Sequence, residues 1–374
     1  MITRTIENQI KNKLFKGKVI TLIGARQTGK TTLLKNIFAE HKAESLWLNA
    51  DEFDIRERFN NPTSTLLRSL FGEKKIVIID EAQQIKEIGL ALKLIVDTFP
   101  EIQVIATGSS AFELQNKTNE PLTGRKFEFN LYPFSFGELV NNQGEIIEKR
   151  LLKHRLVFGS YPEVVNNLGN EIEVLKLLSD SFLYRDLLML ENIKKPEKLV
   201  KLLQALAYQV GSEVSYNEIG NLIGLDSKTV ESYIQLLEKS FVIFRLHSFS
   251  RNLRNELKLS KKIYFYDNGI RNALISSFQI LEGRQDIGAL WENYLVAERK
   301  KHNQYNHFYG NAYFWRTKDK QELDYLEEKD GQLSAFEFKW NEKRKHKISK
   351  TFLNGYPDSQ CAIIHRNNYE KFLL

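Results

Sequence analysis

The chain has 374 residues, 42% hydrophobic and 27% charged, and carries a formal net charge of +7. That length fits two to four domains at roughly 100–200 residues each, with globular composition, and no run reaches the ~20 apolar residues that span a bilayer. A lone cysteine, Cys361, leaves no disulfide framework and no cysteine zinc site, so the expectation is a soluble, cytoplasmic protein without membrane association, whose basic surplus favours an anionic partner.

Ile2, Ile6, Ile10 and Leu14 recur at four-residue spacing among Lys and Glu, which predicts an amphipathic helix rather than an export signal. Residues 18–23 are β-rich and run into Gly24, Ala25, Arg26, Gln27, Thr28, Gly29, Lys30, Thr31 and Thr32, and helical spacing continues to 39. Strand, G-x-x-x-x-G-K-T loop and helix is the order that phosphate binding requires. The glycines admit backbone N–H groups to the phosphates, the helix N-terminus adds its dipole, Lys30 reaches the β/γ-phosphates and Thr31 coordinates Mg²⁺.

Residues 76–79 form a continuous Ile/Val run, suited to a strand buried on both faces, that delivers Asp80 and Glu81 at its end. Asp80 is expected to hold the Mg²⁺ of a bound ATP through its water shell, and Glu81 to polarise the attacking water as a catalytic residue beside Lys30. A third apolar strand, 102–106, ends in Thr107, Gly108, Ser109 and Ser110, where a hydroxyl could reach the γ-phosphate.

Residues 133–190 alternate apolar clusters and polar stretches at helical spacing, broken by Gly159 and Pro162, and read as a helical lid. Pro196 starts a fresh helix. Residues 214–234 then read as helix, tight turn, helix, with Asp226 capping the second. A strand from 241 and a basic wing over 245–263, with Arg251, Arg254 and Lys258, complete a winged-helix pattern. Its second helix offers only Lys228, Thr229, Ser232 and Gln235 to base edges, so sequence-specific readout of DNA is not expected, and a scaffolding role is the alternative.

Residues 288–300 are helical, with Trp291, Tyr294, Leu295 and Glu298 on one face and Glu292 to its side. The strands 321–327 and 333–340 flank Asp330-Gly331, a strong two-residue hairpin signal. If these two residues form the turn, positions summing to 661 lie opposite, and alternation puts Glu322, Asp324, Glu337 and Lys339 on one face and Leu323, Tyr325, Phe336 and Phe338 on the other.

Taken together, the loop at 24–32, Asp80-Glu81-Ala82-Gln83, Thr107 to Ser110, Leu122-Thr123-Gly124-Arg125, Gly159-Ser160-Tyr161-Pro162-Glu163, Tyr184-Arg185-Asp186, Tyr266-Asp267-Asn268-Gly269 and Phe314-Trp315-Arg316-Thr317 resemble a large group of bacterial and archaeal AAA+-type ATPases almost end to end. The resemblance implies an ATPase, makes Ser109 a sensor-1 position, and offers Arg125 first, then Arg185, as the cation that neutralises transition-state charge, from the same chain or from a neighbour in a homo-oligomer. Asp324 and Glu337-Phe338-Lys339 resemble the D…E-x-K signature of restriction-endonuclease-like nucleases, with Glu292 or Glu298 as the helix acid. In that chemistry Asp324, Glu337 and Glu292 hold Mg²⁺ or Mn²⁺, and Lys339 orients water or stabilises negative charge.

The expected architecture is α/β in four parts: a P-loop NTPase core (1–132), a helical lid (133–195), a winged helix (196–265) and a restriction-endonuclease-like domain (266–374). The expected function is a Mg²⁺-dependent ATPase acting on DNA, remodelling or processing branched or broken duplexes, with a C-terminal nuclease site. The alternative is a nucleotide-controlled switch or scaffold whose C-terminal domains bind protein.

Overall fold

Largely apolar runs rich in Val and Ile make strands that can be covered on both faces, and three such runs form the centre of the first sheet. β1 (Val19–Ile23), β3 (Ile76–Asp80) and β4 (Gln103–Gly108) are buried at every residue. With β2 (Ser45–Asn49) and β5 (Lys126–Asn130) they form an all-parallel sheet in the order β2-β3-β4-β1-β5. The computed structural model describes residues 2–39, 41–109, 121–181, 195–250, 260–342 and 347–374. The chain divides into two compact units, Met1–Phe134 with Lys239–Phe241, and Ser135–Glu238 with Val242–Leu374.

In the first unit the order places β4 between β1 and β3, so the C-terminal ends of all three strands lie side by side. The N-terminal stripe folds as a short helix, Ile6–Lys11, that buries Ile6 and Ile10. Arg4, just before it, is buried and donates to Thr28 O at 2.8 Å and Tyr132 O at 2.5 Å, which braces the phosphate loop from behind.

The second unit begins with the helices of the expected lid, Phe136–Gln143, Glu145–Phe158, Pro162–Asn166 and Glu171–Ser181, the first opened by a Ser135/Glu138 capping box. Gly159 follows the second of them at φ +72°, and a Cβ there would stand 2.0 Å from Asp267 Oδ1. Only glycine fits. Asp267 accepts from the Ser160 N–H at 2.7 Å and the Ile270 N–H at 3.1 Å, so the Gly-Ser-Tyr-Pro and Tyr-Asp-Asn-Gly segments meet in one buried junction.

Helices Pro196–Tyr208, Tyr216–Ile223 and Ser227–Lys239 follow the expected helix-turn-helix, with Gly224 in the left-handed region and Asp226 Oδ1 accepting from Thr229 N at 2.9 Å. β6 (Ile243–Ser248) and β7 (Lys261–Phe265) pair antiparallel as the expected wing; Arg251, Arg254 and Lys258 lie outside the described residues. These two strands do not end a separate domain. β6 pairs in parallel with β8 (Asn311–Arg316), and one sheet runs β11-β10-β9-β8-β6-β7, so the boundary expected at 265/266 falls inside it.

The remaining strands of this sheet are β9 (Glu322–Lys329), β10 (Gln332–Phe338) and β11 (Gln360–Ile364), and the chain around them forms helices that include Asn268–Leu274, Ile287–Tyr305, Lys350–Gly355 and Glu370–Leu373. β8, β9 and β10 are antiparallel neighbours and β11 is parallel to β10. Asp330 and Gly331 both have positive φ, and every recorded β9/β10 pair, from Gln332 with Lys329 to Phe336 with Tyr325, sums to 661. The expected register therefore holds over that ladder.

The expected division of faces does not hold throughout. Opposite Tyr313 and Trp315, two residues apart on β8, stand Leu326 and Leu323, three apart on β9. That extra residue is a β-bulge at Asp324-Tyr325, and a bulge re-aims the side chains beyond it. Leu323 accordingly packs with Trp315, Leu326, Ala335 and Phe352, whereas Tyr325 joins the rings of Phe336, Phe338 and Phe372. Among the described residues no helix is long and apolar enough to cross a membrane.

Candidate functional site

The phosphate loop leaves the end of β1 and enters the helix Lys30–Ile37. Gly24 has no room for a side chain, since a Cβ would meet Leu131 O at 2.1 Å. Lys30 is buried and its Nζ donates to the carbonyls of Gly24 at 2.8 Å and Ala25 at 3.0 Å, holding the ammonium at the mouth of the loop. Thr28 Oγ1 donates to Ala25 O at 2.8 Å, which ties the loop across itself. Gly24 to Thr32 thus form one turn and the first residues of the helix, as expected.

Thr31 Oγ1 donates to Asp80 Oδ2 at 3.0 Å. The two oxygens expected to serve Mg²⁺ are therefore close enough to reach a single cation, and the site fits the metal that a bound ATP brings. Thr107, from β4 between them, donates to Asp80 Oδ1 and also accepts from the Glu81 N–H at 3.1 Å. Glu81 itself stands at φ +52°, a strained setting for a non-glycine residue that recurs at functional sites.

Gln83, for which no chemical role was expected, completes the arrangement. Its Nε2 donates to Glu81 Oε2 at 2.5 Å and to Ser109 Oγ at 3.2 Å, linking the expected catalytic acid to the expected sensor. The signal for it was present in the Asp-Glu-Ala-Gln run but carried no assigned function. Arg125 is elsewhere. It precedes β5, which pairs Lys126 with Val19 at the start of β1, so a strand length of about 16 Å separates it from the loop. It is half-exposed and bonds Asp97 at 2.8 Å, which makes no approach to its own chain's phosphate loop. Arg185 and Ser110 lie outside the described residues.

In the second unit Asp324 shares one electrostatic neighbourhood with Glu337, Lys339 and Glu292. Asp324 Oδ2 accepts from the Phe338 N–H at 2.7 Å, and Lys339 Nζ lies 2.6 Å from Glu337 Oε1. Glu337 Oε2 is buried with no hydrogen-bond partner. Burial pushes Asp324 up to about 6, Glu337 adding to the shift while Lys262, the Phe338 N–H and Lys339 oppose it. Asp324, Glu337 and Lys339 thus form a partly buried acid pair with an adjacent lysine.

Of the two helix acids only Glu292 is present. Glu298, six residues on, accepts from the Phe136 N–H at 2.7 Å and pairs with Lys301 at 2.6 Å in the junction near Asp267. Glu292 Oε1 receives Lys262 Nζ at 2.9 Å and Tyr264 Oη at 2.7 Å, both from β7. Burial pushes Glu292 up to about 7, with the Lys262 charge opposing and Asp324 adding. Glu322, expected to oppose Lys339, instead pairs with Lys262 and lies 3.4 Å from Arg316, which also bonds Glu213 at 2.7 Å. Burial would lower the Lys262 ammonium, but Glu292, Glu322 and Asp324 outweigh it and hold it above its ordinary value. Among the described residues no three His, Cys, Asp or Glu converge so as to hold a metal; Asp324 and Glu337 offer two carboxylates and Glu292 is engaged by β7. Lys262 falls within the stretch expected as a basic wing and Tyr264 one residue beyond it, although a lysine and a tyrosine two residues apart share one face of a strand.

Residues 16–140 match the family described as AAA domain; 149–280 and 287–372 match two families described as domains of unknown function, DUF8612 and DUF4143. An uncharacterised protein of Mycobacterium tuberculosis is 26% identical over 357 residues, covering 95% of this chain and 77% of that protein. One of Methanocaldococcus jannaschii is 24% identical over 345 residues, covering 86% and 75%. A solved structure of the Thermotoga maritima RuvB Holliday junction branch migration motor is similar at 15% identity and TM-score 0.34, over 69% of this chain and 95% of that one. The chain carries a P-loop ATPase core of AAA type, followed by lid helices, winged-helix-like elements and an α/β region whose family has no assigned function.

Proposed function

We propose that this protein is a Mg²⁺-dependent ATPase that acts on DNA, and that its C-terminal carboxylates form a phosphodiester-cleaving site. The observation that carries the ATPase reading is the 3.0 Å contact between Thr31 Oγ1 and Asp80 Oδ2 at the mouth of the phosphate loop. Thr31 and Asp80 would hold the Mg²⁺ of a bound nucleotide, which would offset the charge of the phosphates. Lys30 exchanges its loop carbonyls for phosphate oxygens. Glu81 orients and polarises the attacking water, and Gln83 with Ser109 fixes the direction of its carboxylate. The placement of Arg125 favours service to a neighbouring copy over a role in its own site.

DNA as the substrate is supported by the +7 net charge and by a helix-turn-helix whose second helix exposes Lys228, Ser232 and Gln235. Non-specific backbone contact fits these residues better than base readout. The cleavage reading is favoured by one further observation: Asp324 lies in the charge neighbourhood of Glu337 and Lys339, and one oxygen of Glu337 is unpartnered. The test is ATP turnover measured with and without duplex, single-stranded and four-way-junction DNA. A rate that none of them changes favours a nucleotide-controlled switch or scaffold instead.

A further inference from the structure

A dehydrated ammonium is costly unless its charge is matched. Lys300, half-buried on the helix Ile287–Tyr305, holds its ammonium over the Phe244 ring, 4.9 Å from the centroid, and among the described residues no hydrogen bond or ion pair reaches that ammonium. Burial keeps it below its ordinary 10.5, with only the Glu238 charge opposing. The acids around it are engaged elsewhere. Glu238 pairs with Arg245 at 2.5 Å and Glu327 with Arg299 at 2.7 Å. Glu328 accepts from Asn311 at 3.4 Å and is followed by Lys329, whose ammonium stands over the Phe308 ring. One positive charge, that of Lys300, is left without a match.

Beside this ammonium β6 and the helix leave a cavity of about 240 Å³. Its apolar lining comes from Phe244 and Leu246 of β6, Val296 of the helix and Tyr325 of β9, all buried, with Phe308 adding a third ring. Since an apolar cavity of about 150 Å³ holds benzene, this one has room for one or two rings, which would meet aromatic side chains. Charge limits the rest of the ligand. A single unmatched ammonium suits a monoanion, whereas a phosphate monoester, with about two negative charges, would need a second free cation, and Arg245, also in the lining, is held by Glu238.

We infer that the cavity between β6 and the helix Ile287–Tyr305 is a binding site for a small aromatic monocarboxylate, whose rings lie among Phe244, Phe308 and Tyr325 and whose carboxylate pairs with the Lys300 ammonium. The site shares no residue with the phosphate loop or with the acid set around Asp324, so it stands or falls apart from the ATPase and cleavage readings.

The experiment is isothermal titration calorimetry of the full-length chain with 1-naphthoate and with 1-naphthamide, which has nearly the same shape and no charge. The acid is expected to bind 1:1 with a Kd below about 1 mM, and the amide at least about 10-fold more weakly, because it leaves the ammonium unmatched. Since a bound carboxylate favours the charged lysine, binding of the acid at about pH 9 is expected to take up protons, read as a dependence of the heat on the ionisation enthalpy of the buffer. Lys300→Met should abolish both the preference for acid over amide and the proton uptake. Ala312→Trp fills the cavity from β8 with Lys300 still in place, and is expected to lose both ligands. Acid and amide of equal affinity for the unaltered chain, or acid binding that persists unchanged in either variant, overturns the inference. So does the absence of acid binding up to about 1 mM. The acid–amide comparison and the proton uptake are measured on the unaltered chain, and they decide the matter even where a variant does not fold.

Discussion

Thr31 and Asp80, 49 residues apart in sequence, share a 3.0 Å hydrogen bond between the two oxygens proposed to serve a nucleotide-bound Mg²⁺. Lys30→Ala is expected to weaken ATP binding and to cut turnover at least about 100-fold, the scale of losing one preorganised charge-stabilising donor. Glu81→Gln should retain ATP yet turn it over roughly 10²–10⁴-fold more slowly, because only the proton-accepting role is lost. Nucleotide binding by fluorescence and phosphate release by coupled assay separate the two. Wild-type turnover in both variants would refute the ATPase reading.

Gln83→Ala removes the donor that joins Glu81 to Ser109. Turnover should fall by about 10-fold with little change in ATP affinity, a split expected of a residue that aims a catalytic group without touching the phosphates. Equal losses in affinity and turnover would assign Gln83 to binding instead.

DNA affinity is expected to fall steeply with salt in a log–log plot, since phosphate contacts release counterions. Charge reversal at Arg251, Arg254 and Lys258 should flatten the slope by about one unit for each phosphate contact removed. Filter binding across a salt series reads this directly, and an unchanged slope would move the basic stretch 245–263 into a scaffolding role.

Cleavage, assayed on supercoiled plasmid with Mg²⁺ or Mn²⁺, is expected to vanish in Asp324→Ala and to fall about 100-fold or more in Lys339→Ala. Cleavage that persists in purified Asp324→Ala protein would place the activity elsewhere.

Glu327 and Arg299 form a fork of two bonds, 2.8 and 2.7 Å, to which Asn303 adds a third at 2.5 Å. Burial works against the Glu327 charge, but these partners and Tyr325 prevail and hold its carboxyl below the ordinary 4.5. The folded pKa is the lower one, so this contribution is complete above the unfolded value and is lost as pH falls through the folded value. Glu327→Ala leaves Arg299 unmatched and should cost about 3–5 kcal/mol. Urea melts at pH 7 and pH 3 check both statements, and the difference between variant and wild type should shrink at the lower pH.

The phosphate loop, its two acids and the Asp330-Gly331 register could be read from the chain because each is a local pattern with a geometric cause. A G-x-x-x-x-G-K-T turn and a two-residue hairpin need only neighbours in sequence. The bulge at Asp324 leaves no such mark: nothing in residues 322–327 says that β8 advances two residues while β9 advances three. Glu292 and Glu298 could not be told apart by helical spacing, since the choice is made by β7 on one side and by Phe136 on the other. Lys262 arrives at its acids from 30 residues before Glu292, and a pairing at that distance is settled by sheet order, which the hydrophobic pattern does not encode.

The sheet that joins β6 and β7 to β8–β11 limits how this protein can be dissected or rebuilt by recombination. A chain ending at 265 would present the unpaired edge of β6 as a template for another molecule's strand. A chain starting at 266 would carry Glu292 and Glu322 without their lysine. Shuffling the helix-turn-helix onto a different effector, in the laboratory or in a genome, therefore has to move its hairpin and the carboxylate region together as one heritable block.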